Sequence, residues 1–389
     1  MHARSDVSLA EIEADPYAVF ARCRCKAPIV WVEPLLMWWA LNYADVQAIL
    51  AAPAAFTTRF ETSNIYKTFG AHMLTSEGDE QERFKTPFRS AFAPAAVRRA
   101  FEPAVRDTAH SLIAGFAGRG QAELRAELAS RLPVLIILAV FGMEASAEAD
   151  VRAWYDSFER GLANFTGDTA VAEAAECNVV RFHDRLQAQI DAVRWTDGAD
   201  LLSQVVNSTT GKLTDEEIRR NAAIIFFGGI STVEALILNT LYALGSHPEA
   251  LAAVRADTSR IGAAIEETAR WLSPVQSATR HVVRDIEVSG VQMKAGDTVN
   301  CMLGAANRDP AVFAEPDRYW PDRTDVRKHI AFASGPHFCL GSHLARLEAK
   351  VAIEALLSLC PDLCIDADVR IEGYEFRQPK QLQASWPVR

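Results

Sequence analysis

The sequence predicts a mainly α fold with a minor β portion, and three observations predict it. Apolar residues recur at helical spacing along most of the 389 residues. One such run begins at Leu213 and continues for roughly thirty residues, about 45 Å at 1.5 Å per residue. Segments with strand character are few and short. No repeat, charge block or Gly/Ser linker divides the chain, so residues 1–389 are expected to form a single domain.

Taken in order, Ile29-Val30-Trp31-Val32 and Met37–Leu41 read as an early hairpin, with Trp38-Trp39 as packing residues. Helices are predicted at Ala44–Ala52, Glu80–Phe92, Ala95–Phe116, Leu124–Phe141, Ala147–Leu162 and Thr169–Trp195. The long run then starts with a capping box, Thr214 as N-cap and Glu217 at N3. Ile218, Ala222, Ile225, Phe226, Leu236, Leu238 and Leu241 carry it to about Ser246, where His247-Pro248 stops it. Its middle is apolar on every side, as expected of a helix that crosses the interior of a large domain. Gly228-Gly229 interrupts it at a cost of about 1 kcal/mol per Gly against Ala, which points to something approaching the backbone closely. Further helices are predicted at Pro248–Ala256, Ile261–Leu272 and Gly341–Leu359. His281-Val282-Val283, Ile286-Glu287-Val288, Val291-Gln292-Met293 and Thr298-Val299-Asn300 read as a small sheet, with a turn at Ala295-Gly296-Asp297.

Composition excludes several classes. The chain is 49% apolar, enough for a large core and unlike a disordered protein. Forty Lys and Arg against 50 Asp and Glu give a net charge of −10, which argues against a nucleic-acid partner. Met1–Asp15 carries five charges and no apolar segment, so no secretory leader is expected. The longest uncharged apolar stretches, Leu132–Met143, Ala222–Val233 and Ala235–Ser246, fall short of the ~18 residues of a membrane span. Seven scattered cysteines, an odd number, read as reduced thiols in a cytoplasmic protein. Cys23/Cys25 and Cys360/Cys364 lack the nearby histidine or second pair that would complete a zinc site.

The chemistry concentrates in Phe332-Ala333-Ser334-Gly335-Pro336-His337-Phe338-Cys339-Leu340-Gly341. A strong helix begins immediately behind it. A cysteine just ahead of a helix N-terminus faces free backbone N–H groups and the positive end of the dipole, which favour the thiolate. Gly335 and Gly341 permit tight turns and close approach of a flat ligand.

This loop resembles the signature of the cytochrome P450 family, F-x-x-G-x-H-x-C-x-G, at every fixed position. The resemblance extends from roughly Asp15 to the C-terminus. It implies the P450 fold, with a long central helix over the haem and small β-sheets. It also implies haem b as cofactor with Cys339 as axial thiolate and iron ligand, a ligation that pushes electron density onto iron and favours O–O cleavage. Phe332 would pack near the sulfur and His337 would lie toward a haem propionate. Glu267-Thr268-Ala269-Arg270 resembles the family's E-x-x-R motif, two charges on one helix face. Pro316-Asp317-Arg318-Tyr319 resembles the segment that supplies a third, structural charge, here Arg318. By the same likeness Arg280 pairs with a propionate, and substrate is lined by Ile224, Phe227, Gly228, Gln276, Ala278, the Thr62–Leu74 loop and the Phe376–Pro379 region.

Two departures from the family pattern stand out. The long helix carries Gly228-Gly229-Ile230-Ser231-Thr232 where relatives usually have an acid before the threonine. Thr232 fits the hydroxyl that assists oxygen cleavage, but Ser231 can only pass on a hydrogen bond. Glu234 is about 200° around the helix from Thr232, a poor substitute for the acid. The expected function is a monooxygenase that hydroxylates or epoxidises a small to medium, mostly apolar organic substrate with O₂. The alternative is a peroxygenase or a non-hydroxylating haem enzyme. The second departure is Gln81 and Lys85 where relatives have H-x-x-x-R for a propionate; neither reproduces the bidentate arginine fork. The chain has no dinucleotide loop, flavin domain or cluster-type cysteine run, so electrons are expected from a separate ferredoxin and ferredoxin reductase. Arg89, Arg98, Arg99, Arg346 and Lys350 would form the basic face that receives an acidic partner. No membrane association is expected.

Overall fold

The computed structural model describes residues 4–388 apart from positions 6, 62, 163, 165–167, 199 and 209–211. The long central helix forms as two helices, Asp215–Gly229 and Ser231–Ser246. The capping box at its start is present, with Glu217 N donating to the Thr214 hydroxyl and Thr214 N to the Glu217 carboxylate. Ile230 leaves helical geometry, at φ −103° and ψ −80°. The break follows the two glycines, where the helix is intrinsically weakest. Across it, the Thr232 hydroxyl donates to the Gly228 carbonyl at 2.7 Å. By length and composition the 215–246 run could cross a membrane, but 72% of its most apolar window is buried inside the protein. It is a core helix.

Helices Ile261–Trp271 and Ser342–Leu359 pack against Ser231–Ser246, and Glu102–Ala117 packs against Ser342–Leu359. Asp215–Gly229 packs against Leu132–Val140 and Thr169–Val193, and the latter carries Glu148–Leu162 on its other contacts. Two further predicted helices are divided. Ala95–Phe116 becomes Pro94–Ala100 and Glu102–Ala117, and Leu124–Phe141 becomes a π turn at Arg125–Ala129 followed by Leu132–Val140. Each second piece has proline at its start, where the missing N–H leaves no bond unmade. Short helices at Leu9–Ala14, Pro16–Lys26, Asn64–Phe69 and Leu201–Val206 were not anticipated; Ser8, Asp15, Ser63 and Asp200 cap them.

The predicted hairpin and later sheet are not separate. Met37–Ala40 pairs in parallel with Thr298–Met302, joining Arg4–Ser5, Ile29–Val32, Ser277–Val282 and Phe56–Thr57 into one six-stranded sheet. Ile286–Val288 and Val291–Met293 form a hairpin apart from it. Trp39 is fully buried and Trp38 nearly so.

Glu267 and Arg270 pair through two 2.7 Å contacts, with neither side chain exposed. The third member is Arg323, whose Nε lies 3.4 Å from Glu267 Oε1, and not Arg318. The Arg318 side chain is 58% exposed and turns to Glu315 at 3.3 Å. Only its carbonyl reaches the cluster, accepting from Arg270 at 3.0 Å. Turns after Pro316 carry one arginine outward and bring the next inward.

Candidate active site

The loop before helix Ser342–Leu359 is closed by Cys339 N donating to Phe332 O and Phe338 N to Gly335 O, both at 3.0 Å. Gly335 has φ +70°, and a Cβ there would stand 2.6 Å from the Leu50 carbonyl oxygen. Only glycine lets the loop lie against the end of helix Tyr43–Leu50. Cys339 is an exposed residue, although protein atoms crowd its thiol. Burial pushes its thiol up; N–H donors of Gly341 and Ser342 and the charges of Arg346 and Lys85 oppose that rise. The other cysteines differ. Cys301 is sealed in the core and pushed up to about 12, and Cys360 to about 11.

Gln81 and Lys85 come to the loop itself. Gln81 Nε2 donates to Pro336 O at 3.1 Å, and Lys85 Nζ to Pro336 O and Phe338 O at 2.9 and 3.0 Å. Both ring nitrogens of His337 have protein partners, Gln81 at 3.0 Å and the Glu77 carboxylate at 2.9 Å. Burial raises the Glu77 carboxyl, but hydrogen bonds from His337 and Thr58 prevail and hold it below its ordinary range. The histidine is therefore a tether between loop and helix Gly78–Arg89, a role its spacing did not reveal. Phe332 lies beneath the Arg346 guanidinium, 4.2 Å from its ring centre.

Arg280 is 4% exposed, and its Nη1 donates to the Thr279 carbonyl at 2.8 Å. No carboxylate pairs with it among the described residues, so burial lowers its pKa uncompensated by a contact ion pair. A buried guanidinium of this kind is suited to an anionic ligand group.

On the long helix, Gly228 is exposed and open space lies where a Cβ would project. Phe227 is half-buried and stacks on Tyr155 at 5.8 Å between ring centres. Ala278 and Thr232 are half-buried, and Leu74 is 37% exposed. Thr62 lies outside the described residues. Two expected substrate residues are corrected. Gln276 is fully buried, donating to Ser273 O and Tyr17 OH, and its Oε1 would be 2.3 Å from a Cβ on Gly304. It precedes the strand Ser277–Val282, so strand alternation does not aim it with Ala278. Ile224 belongs to the hydrophobic core at 7% exposure, and the half-buried residue one turn before Gly228 is Ile225.

Of the expected basic face, Arg89, Arg346 and Lys350 are paired with Glu82, Glu266 and Glu354. Arg98 and Arg99 are exposed without an ion pair among the described residues. Glu266 joins helix Ile261–Trp271 to Arg346 at 2.5 Å and His329 at 2.9 Å. Burial alone would raise its carboxyl, but these partners bring it from 4.5 to about 2. A depressed carboxyl contributes stability above its unfolded pKa and loses it as pH falls through the folded one. Glu266 thus contributes on the order of 2–3 kcal/mol at neutral pH, lost between about pH 4.5 and 2. Glu266→Gln is expected to flatten the acid limb of stability against pH in that window; an unchanged profile from urea melts at stepped pH would refute the assignment.

A thiol at a helix N-terminus, a buried arginine without a carboxylate partner among the described residues and a broken helix with an open glycine suit a haem-thiolate type of site. The Cytochrome P450 family model matches residues 171–361. Cytochrome P450 monooxygenase PikC of Streptomyces venezuelae is 36% identical over 92% of this chain and 86% of its own. The C-19 steroid 1alpha-hydroxylase of Sorangium cellulosum is 30% identical over 87% of this chain and 85% of its own. The structure of CYP109Q5 from Chondromyces apiculatus matches with a TM-score of 0.88 at 30% identity, covering 100% of both chains. P450BioI, solved with an acyl carrier protein bearing hexadec-9Z-enoic acid, matches with a TM-score of 0.89 at 28% identity over 97% of this chain and 100% of that one. The chain belongs to the cytochrome P450 family. It is a haem-thiolate monooxygenase using haem b, O₂, a small-molecule substrate and electrons from redox partners, and no finding favours the alternative chemistry.

The residues present fit that cofactor. Cys339 is exposed, the buried Arg280 has no carboxylate partner among the described residues, and Gly228 and Gly341 leave open space where side chains would intrude.

Proposed function

We propose that Cys339 is the thiolate ligand of the haem and that Arg280 receives a propionate, while Gln81, Lys85 and His337 hold the ligand loop in place. The observation that carries the reading is Cys339, an exposed residue whose thiol receives N–H groups of Gly341 and Ser342 at a helix start. A bound iron would take the thiol's proton away, and those donors and the nearby cations stabilise the resulting charge. When bound, the haem supplies the activation of O₂. The chain's own residues position and exclude. Gly228 leaves room beside the helix, Thr232 holds the break closed through the Gly228 carbonyl, and Phe227 and Ala278 present apolar surface to a medium-sized organic substrate.

Electrons come from a ferredoxin and its reductase, which dock on the side bearing Arg98 and Arg99, and the protein works in the cytoplasm. Proximity of Arg98 to the ligand-loop helix is supported by its charge acting on His343. Purified protein with NADH, ferredoxin reductase and ferredoxin is expected to convert a compound that shifts the ferric spectrum to high spin. Conversion by hydrogen peroxide alone, with none under NADH, would contradict this assignment.

A further inference from the structure

The carboxylate missing from position 231 has a counterpart in space. Ser231 is 5% exposed, and its side chain lies near helix Glu148–Leu162. Tyr155 of that helix is 7% exposed, and the Ser231 hydroxyl is close enough to act on its phenol. The two do not form a hydrogen bond, and both oxygens are buried without a partner. The surroundings are apolar, with Trp154, Phe158, Phe226 and Ile230 next to Tyr155. Two unpartnered hydroxyls meeting in such an interface carry a desolvation penalty that Ala and Phe would avoid while filling the same places. Packing alone does not account for them.

One turn beyond Tyr155 on the same helix stands Glu159, half-buried. Facing it are Tyr155 and Asp156 of its own helix, Glu234 of Ser231–Ser246, Arg125 of the π turn and Lys380 of the C-terminal segment. Glu234 is committed to Arg125 at 2.6 Å and Gln378 at 3.3 Å. Glu159 has no ion pair among the described residues. Burial first, then the charge of Glu234, raise its carboxyl above the ordinary 4.5.

We propose that this chain assembles its distal proton donor from two helices, with the hydroxyls of Ser231 and Tyr155 relaying protons from Glu159 to the Thr232 side of the helix break. The proposal rests on the monooxygenase reading above. Each turnover reduces one O₂ with two electrons from the redox partner and takes up two protons; one oxygen atom enters substrate and the other leaves as water. For each proton, Ser231 gives one toward Thr232 and takes one from Tyr155. Tyr155 takes one from Glu159, and Glu159 is refilled from solvent. No side chain changes its net protonation.

The test is a set of variants, Tyr155→Phe and Glu159→Gln, each made alone and together with Ser231→Asp. Peroxide released per NADH consumed is expected to rise about tenfold or more in the two single variants, since a positioned acid is lost. With Ser231→Asp supplying a local carboxyl, the same changes at 155 and 159 are expected to have no effect. A merely structural role would persist in that background. Independently of turnover, infrared titration of the ferric protein should show a carboxyl band that Glu159→Gln removes, with a midpoint above 4.5. Single variants coupled like wild type, equal effects in both backgrounds, or a Glu159 band titrating at or below 4.5 would overturn the relay alone. Wild type that makes no product from NADH and O₂ would overturn the relay together with the reading beneath it.

Discussion

Glu267→Ala leaves almost no soluble holoprotein. Removing this carboxylate strands two guanidiniums, those of Arg270 and Arg323, whose side chains are 0% and 1% exposed. It also takes the acceptor from Trp320 N, which bonds Glu267 at 2.8 Å. Breaking one side of a buried pair costs about 3–5 kcal/mol, against a typical total stability of about 5–15 kcal/mol. Arg270 additionally donates to carbonyls of Asn307, Pro316 and Arg318, so the segment leading to the ligand loop loses its anchor. Arg323→Ala is expected to be nearly as damaging. Arg318→Ala, which removes only an exposed partner of Glu315, is expected to change stability by no more than about 1 kcal/mol. Soluble yield, circular dichroism and haem content of the three variants decide the matter. A folded, haem-replete Glu267→Ala protein would contradict the structural role, and an Arg318 variant worse than the Arg323 variant would contradict the corrected membership.

What the sequence made legible follows from where each constraint lives. The ligand loop could be read because a turn, a thiol and a helix start must sit within ten consecutive residues. Glu267 and Arg270 could be paired because three residues on a helix share a face. Arg323 could not be told from Arg318, since the turns between them have no period from which a direction can be deduced. Gln276 failed for a related reason: it lies just before its strand, where alternation has not begun. The join between Met37–Ala40 and Thr298–Met302 is a pairing across most of the chain, and neither strand's pattern names its partner. Some signals were present and unread. Ser8 and Glu11 form a capping box in plain sequence, and Pro103 and Pro133 mark helix starts inside runs that looked continuous. Tyr155 and Glu159 carried no motif at all; their interest arises only because a neighbouring helix presents Ser231 to them.

The largest functional effect is expected at Cys339. Three of the other cysteines, Cys25, Cys177 and Cys364, are exposed in elements away from the ligand loop, and Cys23, Cys301 and Cys360 are buried. Only Cys339 combines access with the N–H groups of a helix start. Without its sulfur the loop geometry held by Gly335, Gln81 and Lys85 remains, because Ala fits the Cys339 backbone and the loop's bonds are to backbone carbonyls. Cys339→Ala is therefore expected to fold and to lose thiolate ligation completely, while Cys177→Ala behaves as wild type. The direct measurement is the absorption spectrum of the reduced protein under carbon monoxide. Wild type and Cys177→Ala are predicted to show the red-shifted Soret band of thiolate-ligated haem, and Cys339→Ala to lack it. A Cys339→Ala protein that keeps that band would contradict the account at its centre.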